Sequence, residues 1–133
     1  MDQEGGCYCG AVRYRVTQTP TLKAQCHCRA CSYFSGGGPN YFMLIPAEGF
    51  RYTTDMPARF RRADLERAVT REFCPDCGTH ILSRRPGLSE VVLKVGTLDD
   101  PTVFGGPRIA IFCEEALPWH IVPEGVLRFA ELP

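Results

Sequence analysis

The chain has 133 residues, 44% of them hydrophobic, with 15 Lys+Arg against 15 Asp+Glu and no formal net charge. That length suits one domain, residues 1–133, around a single core. The even charge argues against a dedicated nucleic-acid or membrane surface, and no apolar run approaches the roughly 20 residues of a membrane-spanning helix.

The start, Met1-Asp2-Gln3-Glu4, is acidic and lacks the apolar stretch of an export signal. A cytoplasmic location is therefore expected, where thiols stay reduced. Gly5-Gly6 lead into Cys7-Tyr8-Cys9-Gly10, after which Val12, Tyr14 and Val16 alternate with Arg13 and Arg15. This is strand periodicity with one buried face. Residues i and i+2 of an extended chain point to one side, so Cys7 and Cys9 are expected to face one ion from that strand. Leu22 to Cys28 reads as a second extended segment, with Cys26 and Cys28 on one face and His27 on the other. Cys31 is expected to return from a turn. Ser35-Gly36-Gly37-Gly38-Pro39 reads as a flexible loop beside these cysteines, either a plain connector or a gate for a ligand.

Asn40 to Ile45 is strand-like and Pro46 ends it; Phe50 to Thr53 is a further short strand. Pro57 to Ala68, rich in Arg, fits a short helix or a strand. Val69 to Phe73 alternates and delivers the chain to Cys74-Pro75-Asp76-Cys77-Gly78, where Gly78 permits a tight turn. Thr79 to Ser83 looks extended, Glu90 to Val95 is a buried strand, and Gly96 to Pro101 is a turn. Arg108 to Cys113 and Gly125 to Phe129 are the last strand candidates. No long amphipathic helix is evident, so the fold class is mainly β.

Eight cysteines are many for this length. A disulfide framework is the alternative, but C-x-C, C-x-C-x2-C and C-x2-C groupings suit metal ligation, whose ligands converge within a few Å. Seven cysteines fall in these groups, and seven divides into four and three. Four thiolates close a structural zinc site; three leave a position open. Spacing does not say which pairs join. The triple Cys26, Cys28 and Cys31 has Cys113, His27, His80 and His120 as possible fourth ligands, although Cys113 reads as a buried core thiol. Arg29 can offset thiolate charge, and Trp119 reads as a core, lid or pocket-wall residue. A thiol arriving at an open three-thiolate zinc would be held as thiolate and primed to attack a small electrophile.

Four stretches taken together resemble the glutathione-dependent formaldehyde-activating enzyme family, which also includes centromere protein V. They are Gly6-Cys7-Tyr8-Cys9-Gly10-Ala11-Val12-Arg13-Tyr14, Cys26-His27-Cys28-Arg29-Ala30-Cys31, Phe73-Cys74-Pro75-Asp76-Cys77-Gly78-Thr79 and Gly96-Thr97-Leu98-Asp99-Asp100-Pro101. The resemblance runs from about Gly5 to Trp119. It implies a mainly β fold of several coiled sheets, similar to that of the small zinc-binding Rab exchange-factor chaperones. It also implies the ligand sets: Cys7, Cys9, Cys74 and Cys77 for a structural zinc, and Cys26, Cys28 and Cys31 for a second, catalytic zinc. The expected cofactor is thus Zn2+, two per chain. The implied activity is a carbon–sulfur lyase that joins formaldehyde and glutathione reversibly, so the expected partner is a small thiol such as glutathione. The alternative is a non-catalytic zinc module that binds protein or nucleic acid. Ser32 stands where family members often carry a basic residue, and Ala110-Ile111 stands where the family tends to have His-Ile.

Overall fold

A computed structural model describes residues 1–133. Its strands are β1 (Gln3–Gly6), β2 (Arg13–Val16), β3 (Leu22–Cys26), β4 (Asn40–Pro46), β5 (Phe50–Tyr52), β6 (Ala58–Phe60), β7 (Thr70–Phe73), β8 (His80–Arg84), β9 (Glu90–Lys94), β10 (Ile109–Ile111) and β11 (Leu127–Arg128), and one short helix, α1 (Arg29–Phe34), follows β3. The strands form a three-stranded sheet, β1-β2-β5, and an eight-stranded sheet, β11-β10-β3-β4-β9-β8-β7-β6. The chain is mainly β, as the alternating sequence predicts.

Two faces of the large sheet have different fates, and the period of two residues per strand repeat decides them. On one face Met43, Ile45, Leu82, Val91 and Leu93 pack against Val12, Tyr14, Val16 and Phe50 of the small sheet and form the main core. Each such side chain, fully buried, contributes roughly 1.5–3 kcal/mol. On the other face Ala24, Cys26, Phe42, Val92 and Ile111 form a smaller cluster. The pairings Cys26↔Asn40 and Leu44↔Val92 set this alternation.

The small sheet is tied to the large one through Tyr14. Its hydroxyl donates to Thr97 Oγ1 at 2.8 Å, and Thr97 in turn donates to the Lys94 carbonyl. Gly5 runs beside this pair, where an added Cβ would stand 2.3 Å from the Tyr14 hydroxyl and 2.4 Å from the Thr97 carbonyl. That close approach is why a glycine-bearing segment can form β1, an element the sequence pattern does not reveal.

Several expectations need correction. Cys7 and Cys9 lie in a turn between β1 and β2, not in the strand, which begins at Arg13. Cys31 stands in the first turn of α1 rather than in a simple turn. Cys113 is only half-buried and opens a 3-10 turn, Cys113–Glu115. The ambiguous stretch after Pro57 contains β6 followed by turns. The candidate last strand shrinks to Leu127–Arg128. The glycine-rich segment is pinned: Trp119 Nε1 and His120 Nε2 each donate to the Gly37 carbonyl at 2.9 Å.

Candidate metal centres and the adjoining cavity

Cys7, Cys9, Cys74 and Cys77 converge with their sulfurs within 4.8 Å of one another. Both pairs reach the cluster through tight turns. Cys74 N–H donates to the Thr79 carbonyl at 2.9 Å and Gly78 N–H to the Cys74 carbonyl at 2.9 Å. Gly78 has φ 78°, a value glycine adopts without the Cβ clash that penalises other residues. Cys7 N–H bonds to the Val12 carbonyl and Gly10 N–H to the Cys7 carbonyl, so the first turn repeats the plan. Tyr8 N–H donates to Thr79 Oγ1 at 3.1 Å, locking the two turns together. Backbone amides also point at the sulfurs: Val12 N–H at Cys7 and Asp76 N–H at Cys74. Such bonds stabilise thiolates.

The distances test whether a zinc ion suits this set. Four sulfurs at about 2.3 Å from one tetrahedral centre stand about 3.8 Å apart. Cys7 and Cys9 Sγ are 3.6 Å apart, and Cys9 and Cys74 Sγ 3.8 Å. The donor set fits.

The second group, Cys26, Cys28 and Cys31, also has its sulfurs within 4.8 Å of one another, and no fourth Cys, His, Asp or Glu joins it. Its ligands come from three backbone settings. Cys26 ends β3, Cys28 is the extended residue that caps α1, and Cys31 lies one turn further on. Cys31 N–H donates to Cys28 Sγ at 3.2 Å. A sulfur thus takes the role that a hydroxyl or carboxylate oxygen usually takes at a helix start. Hydrogen bonds from the Cys26 and Cys31 side chains draw the Cys28 thiol well below its ordinary range, and Cys26, the donor to Cys28, is pushed up. One of the three gives up its proton readily, as ligation requires.

These sulfurs border a cavity of about 690 Å³ on the smaller face of the large sheet, opposite the main core. The sheet supplies an apolar wall that includes Phe42, Leu44, Val92, Ile109 and Ile111. The polar side chains on its lining are Asn40, Arg71, Ser83 and Arg85. Arg71 lies across the ring of Phe34, 4.1 Å from its centroid, and its charge adds to the hydrogen bonds from Cys26 and Cys31 that lower the Cys28 thiol. Lys94 donates to Asn40 Oδ1 at 2.8 Å, and burial pulls its ammonium down to about 8. Two cations therefore stand near the triple thiol group. Sequence reading missed both, since β7 and β9 carry no local sign that they approach residues 26–31.

His27 points away from the cysteines, as the alternation predicts. It is 1% exposed and sits in a relay. Gln25 Nε2 donates to His27 Nε2 at 2.9 Å, so the His27 proton is on Nδ1 and is donated to His120 Nδ1 at 2.8 Å; His120 then donates from Nε2 to Gly37. Desolvation by burial lowers the His27 pKa. His80 joins neither cluster: its Nε2 donates to the Leu82 carbonyl at 2.9 Å, and burial pulls its pKa down to about 4. Cys113 Sγ lies 3.5 Å from the Ala110 carbonyl and joins neither cluster. Ser32 is buried and donates to the Arg29 carbonyl at 2.7 Å, while the Arg29 guanidinium donates to Ser32 Oγ. Ala110 is fully buried and is not among the cavity-lining residues; it pairs with Gln25 in register. Trp119 is 66% exposed, a clamp on Gly37 rather than a core residue.

Known proteins resemble this chain in sequence and in fold. A Halomonas elongata protein whose provisional name is glutathione-dependent formaldehyde-activating enzyme is 27% identical over 124 residues, covering 87% of this chain and 78% of that protein. A crystal structure of a Rhodobacter sphaeroides protein superposes with a TM-score of 0.62 at 19% identity, over 78% of this chain and 96% of that one, and supports the fold. No helix here is long and apolar enough to cross a membrane. The family described as glutathione-dependent formaldehyde-activating enzyme matches residues 2–115, a span that contains both cysteine clusters, and the chain belongs to that family.

Proposed function

We propose that the protein is a zinc-dependent carbon–sulfur lyase that adds a thiol reversibly to a small aldehyde, glutathione and formaldehyde being the pair in its family description. Cys7, Cys9, Cys74 and Cys77 hold a structural zinc in this reading, and Cys26, Cys28 and Cys31 hold a catalytic one. The observation that carries it is the difference in ligand number: four sulfurs complete a tetrahedron, whereas three leave a position free beside a cavity. Zinc bound by three thiolates supplies a Lewis-acidic position that keeps an arriving thiol deprotonated.

The chain's own groups account for the rest. The apolar wall limits the water that would compete for the reactants. The sulfur lone pair forms the C–S bond, the carbonyl π pair moves to oxygen, and the proton released by the thiol ends on that oxygen. Arg71 supplies fixed positive charge on the cavity wall, which favours both the thiolate and the oxygen as it becomes negative. The reverse sequence cleaves the C–S bond and releases aldehyde and thiol.

Exchange NMR with 13C-labelled formaldehyde and glutathione tests the reading. Protein with both sites loaded should accelerate interconversion of the free aldehyde and its S-hydroxymethyl adduct above the spontaneous rate. Cys28→Ser should remove the acceleration while leaving the far-UV spectrum intact. Loaded protein that gives only the spontaneous rate would overturn it.

A further inference from the structure

The helix α1 is six residues long and carries Cys31 one turn beyond its Cys28 cap. Isolated helices shorter than about 12 residues are marginal in water, so α1 does not fix the place of Cys31 by itself. What holds its two ends decides how Cys31 stands against Cys26 and Cys28. One side chain reaches both ends. His120 Nδ1 accepts from His27 Nδ1 at 2.8 Å, just before the cap, and His120 Nε2 donates to the Gly37 carbonyl at 2.9 Å, just past the exit.

Both anchor points are themselves rigid. His27 lies between Cys26 and Cys28 in the chain, is buried, and its N–H donates to the Ile111 carbonyl at 3.0 Å. Gln25 Nε2 holds its ring from the other side, and also donates to the Ile121 carbonyl at 3.0 Å, which sets the direction of the amide. Gly37 is folded back onto α1: its N–H donates to the Ser32 carbonyl at 2.8 Å, with φ 95°, a value that a Cβ would penalise. The network is not the most stable way to fill this space. It leaves Gln25 Oε1 buried without a partner, a penalty that apolar side chains of the same shape would avoid. His120 is neither among the clustered cysteine ligands nor on the cavity lining.

Resting on the two-zinc reading above, we propose that His120 is a positioning residue for the three-cysteine centre. By gripping His27 and Gly37 together it sets where Cys31 stands relative to Cys26 and Cys28, and so tunes the affinity of that centre for zinc.

Chelator competition on the full chain loaded with two equivalents of zinc tests this without turnover. The equivalent that Cys28→Ser lacks reports the three-cysteine centre; the other reports the four-cysteine centre. His120→Ala should weaken zinc about tenfold at the three-cysteine centre, the scale of an outer-shell group, and leave the four-cysteine centre unchanged. Two conservative variants divide the grip. An asparagine amide oxygen stands near the position of Nδ1 and keeps an acceptor for His27; a glutamine amide nitrogen stands near Nε2 and keeps a donor for Gly37. His120→Asn and His120→Gln should each fall between the parent chain and His120→Ala. Unchanged affinity in His120→Ala overturns the proposal and leaves the two-zinc reading standing. Equal weakening at both centres does the same, since it reports a general loosening of the fold. Full affinity in either half-variant overturns the two-ended grip. A parent chain that takes up only one equivalent overturns the two-zinc reading and the proposal with it.

Discussion

Cys74 follows the last residue of β7 and Cys26 is the last residue of β3, and both are buried. Their neighbourhoods diverge from there. Cys74 joins Cys7 in the main core, and its cluster knits two turns separated by more than sixty residues. Cys26 belongs to the smaller cluster on the opposite face, and its partners Cys28 and Cys31 lie within five residues of it. The first cluster closes a long chain loop; the second decorates a short one. Metal ligation at the first would therefore stabilise the fold, while ligation at the second would chiefly shape a surface that a ligand can reach. Ligand number and ligand distance in sequence tell the same story.

The sharpest way to break this contrast is a pair of substitutions. Cys74→Ser should unfold the chain at 25 °C, because structural zinc contributes of order 10 kcal/mol to folding. Cys26→Ser should lose one equivalent of zinc and keep the β spectrum. Metal analysis with circular dichroism reads both, and equal loss of structure in the two variants would erase the distinction.

A next test uses acid. His80 stands under α1, its ring edge-on to Phe34 at 5.3 Å, and burial lowers its pKa from 6.5 to about 4. The folded state binds this proton less readily than the unfolded state does. Its contribution is complete above the unfolded value near 6.5 and is lost as pH falls from there towards 4, by at most about 3 kcal/mol. His80→Gln should remove that part of the acid sensitivity in urea titrations between these pH values. A variant with the same slope as the parent chain would show that the burial of His80 is not felt in stability.

Smaller effects probe the surroundings of each cluster. Arg71→Gln should lower kcat/KM of order tenfold, about 1.4 kcal/mol of transition-state stabilisation, with unfolding midpoint nearly unchanged. An unchanged kcat/KM would remove Arg71 from the chemistry. Gly78→Ala places a Cβ in open space but keeps φ near 78°. It should cost about 1 kcal/mol through backbone strain alone, visible as weaker zinc retention against a chelator at the four-cysteine cluster and none at the other.

What the sequence revealed depended on the range of the interaction. The strands Asn40–Pro46 and Glu90–Lys94 could be located because burial imposes a local apolar pattern on the central strands. β1 could not, since Gln3-Glu4-Gly5-Gly6 has no apolar pattern and is held by pairing with β2 and by the close fit of Gly5. α1 escaped notice because six residues leave too little periodicity, and its cap is a thiol. The convergence of each cysteine group is local and was legible. The union of Cys7 and Cys9 with Cys74 and Cys77 is not local, and only the family resemblance supplied it. Glu72 makes the same point: fully buried, it accepts from the Tyr52 hydroxyl at 2.7 Å and from Arg84 Nε at 2.7 Å, partners that no window around residue 72 contains. Arg71, its neighbour on the opposite face of β7, reached the cavity for the same reason.

The clamp on Gly37 has a consequence for how the molecule assembles. Trp119 and His120 reach that carbonyl across 82 and 83 residues of sequence. The main core spans the same separation, since Tyr14 reaches Thr97 across 83 residues, so its condensation already closes most of that loop. The main core can condense while Ser35–Pro39 still samples many conformations. Order at the exit of α1 rests on these two hydrogen bonds near the surface, and should be the first to go when the chain is warmed.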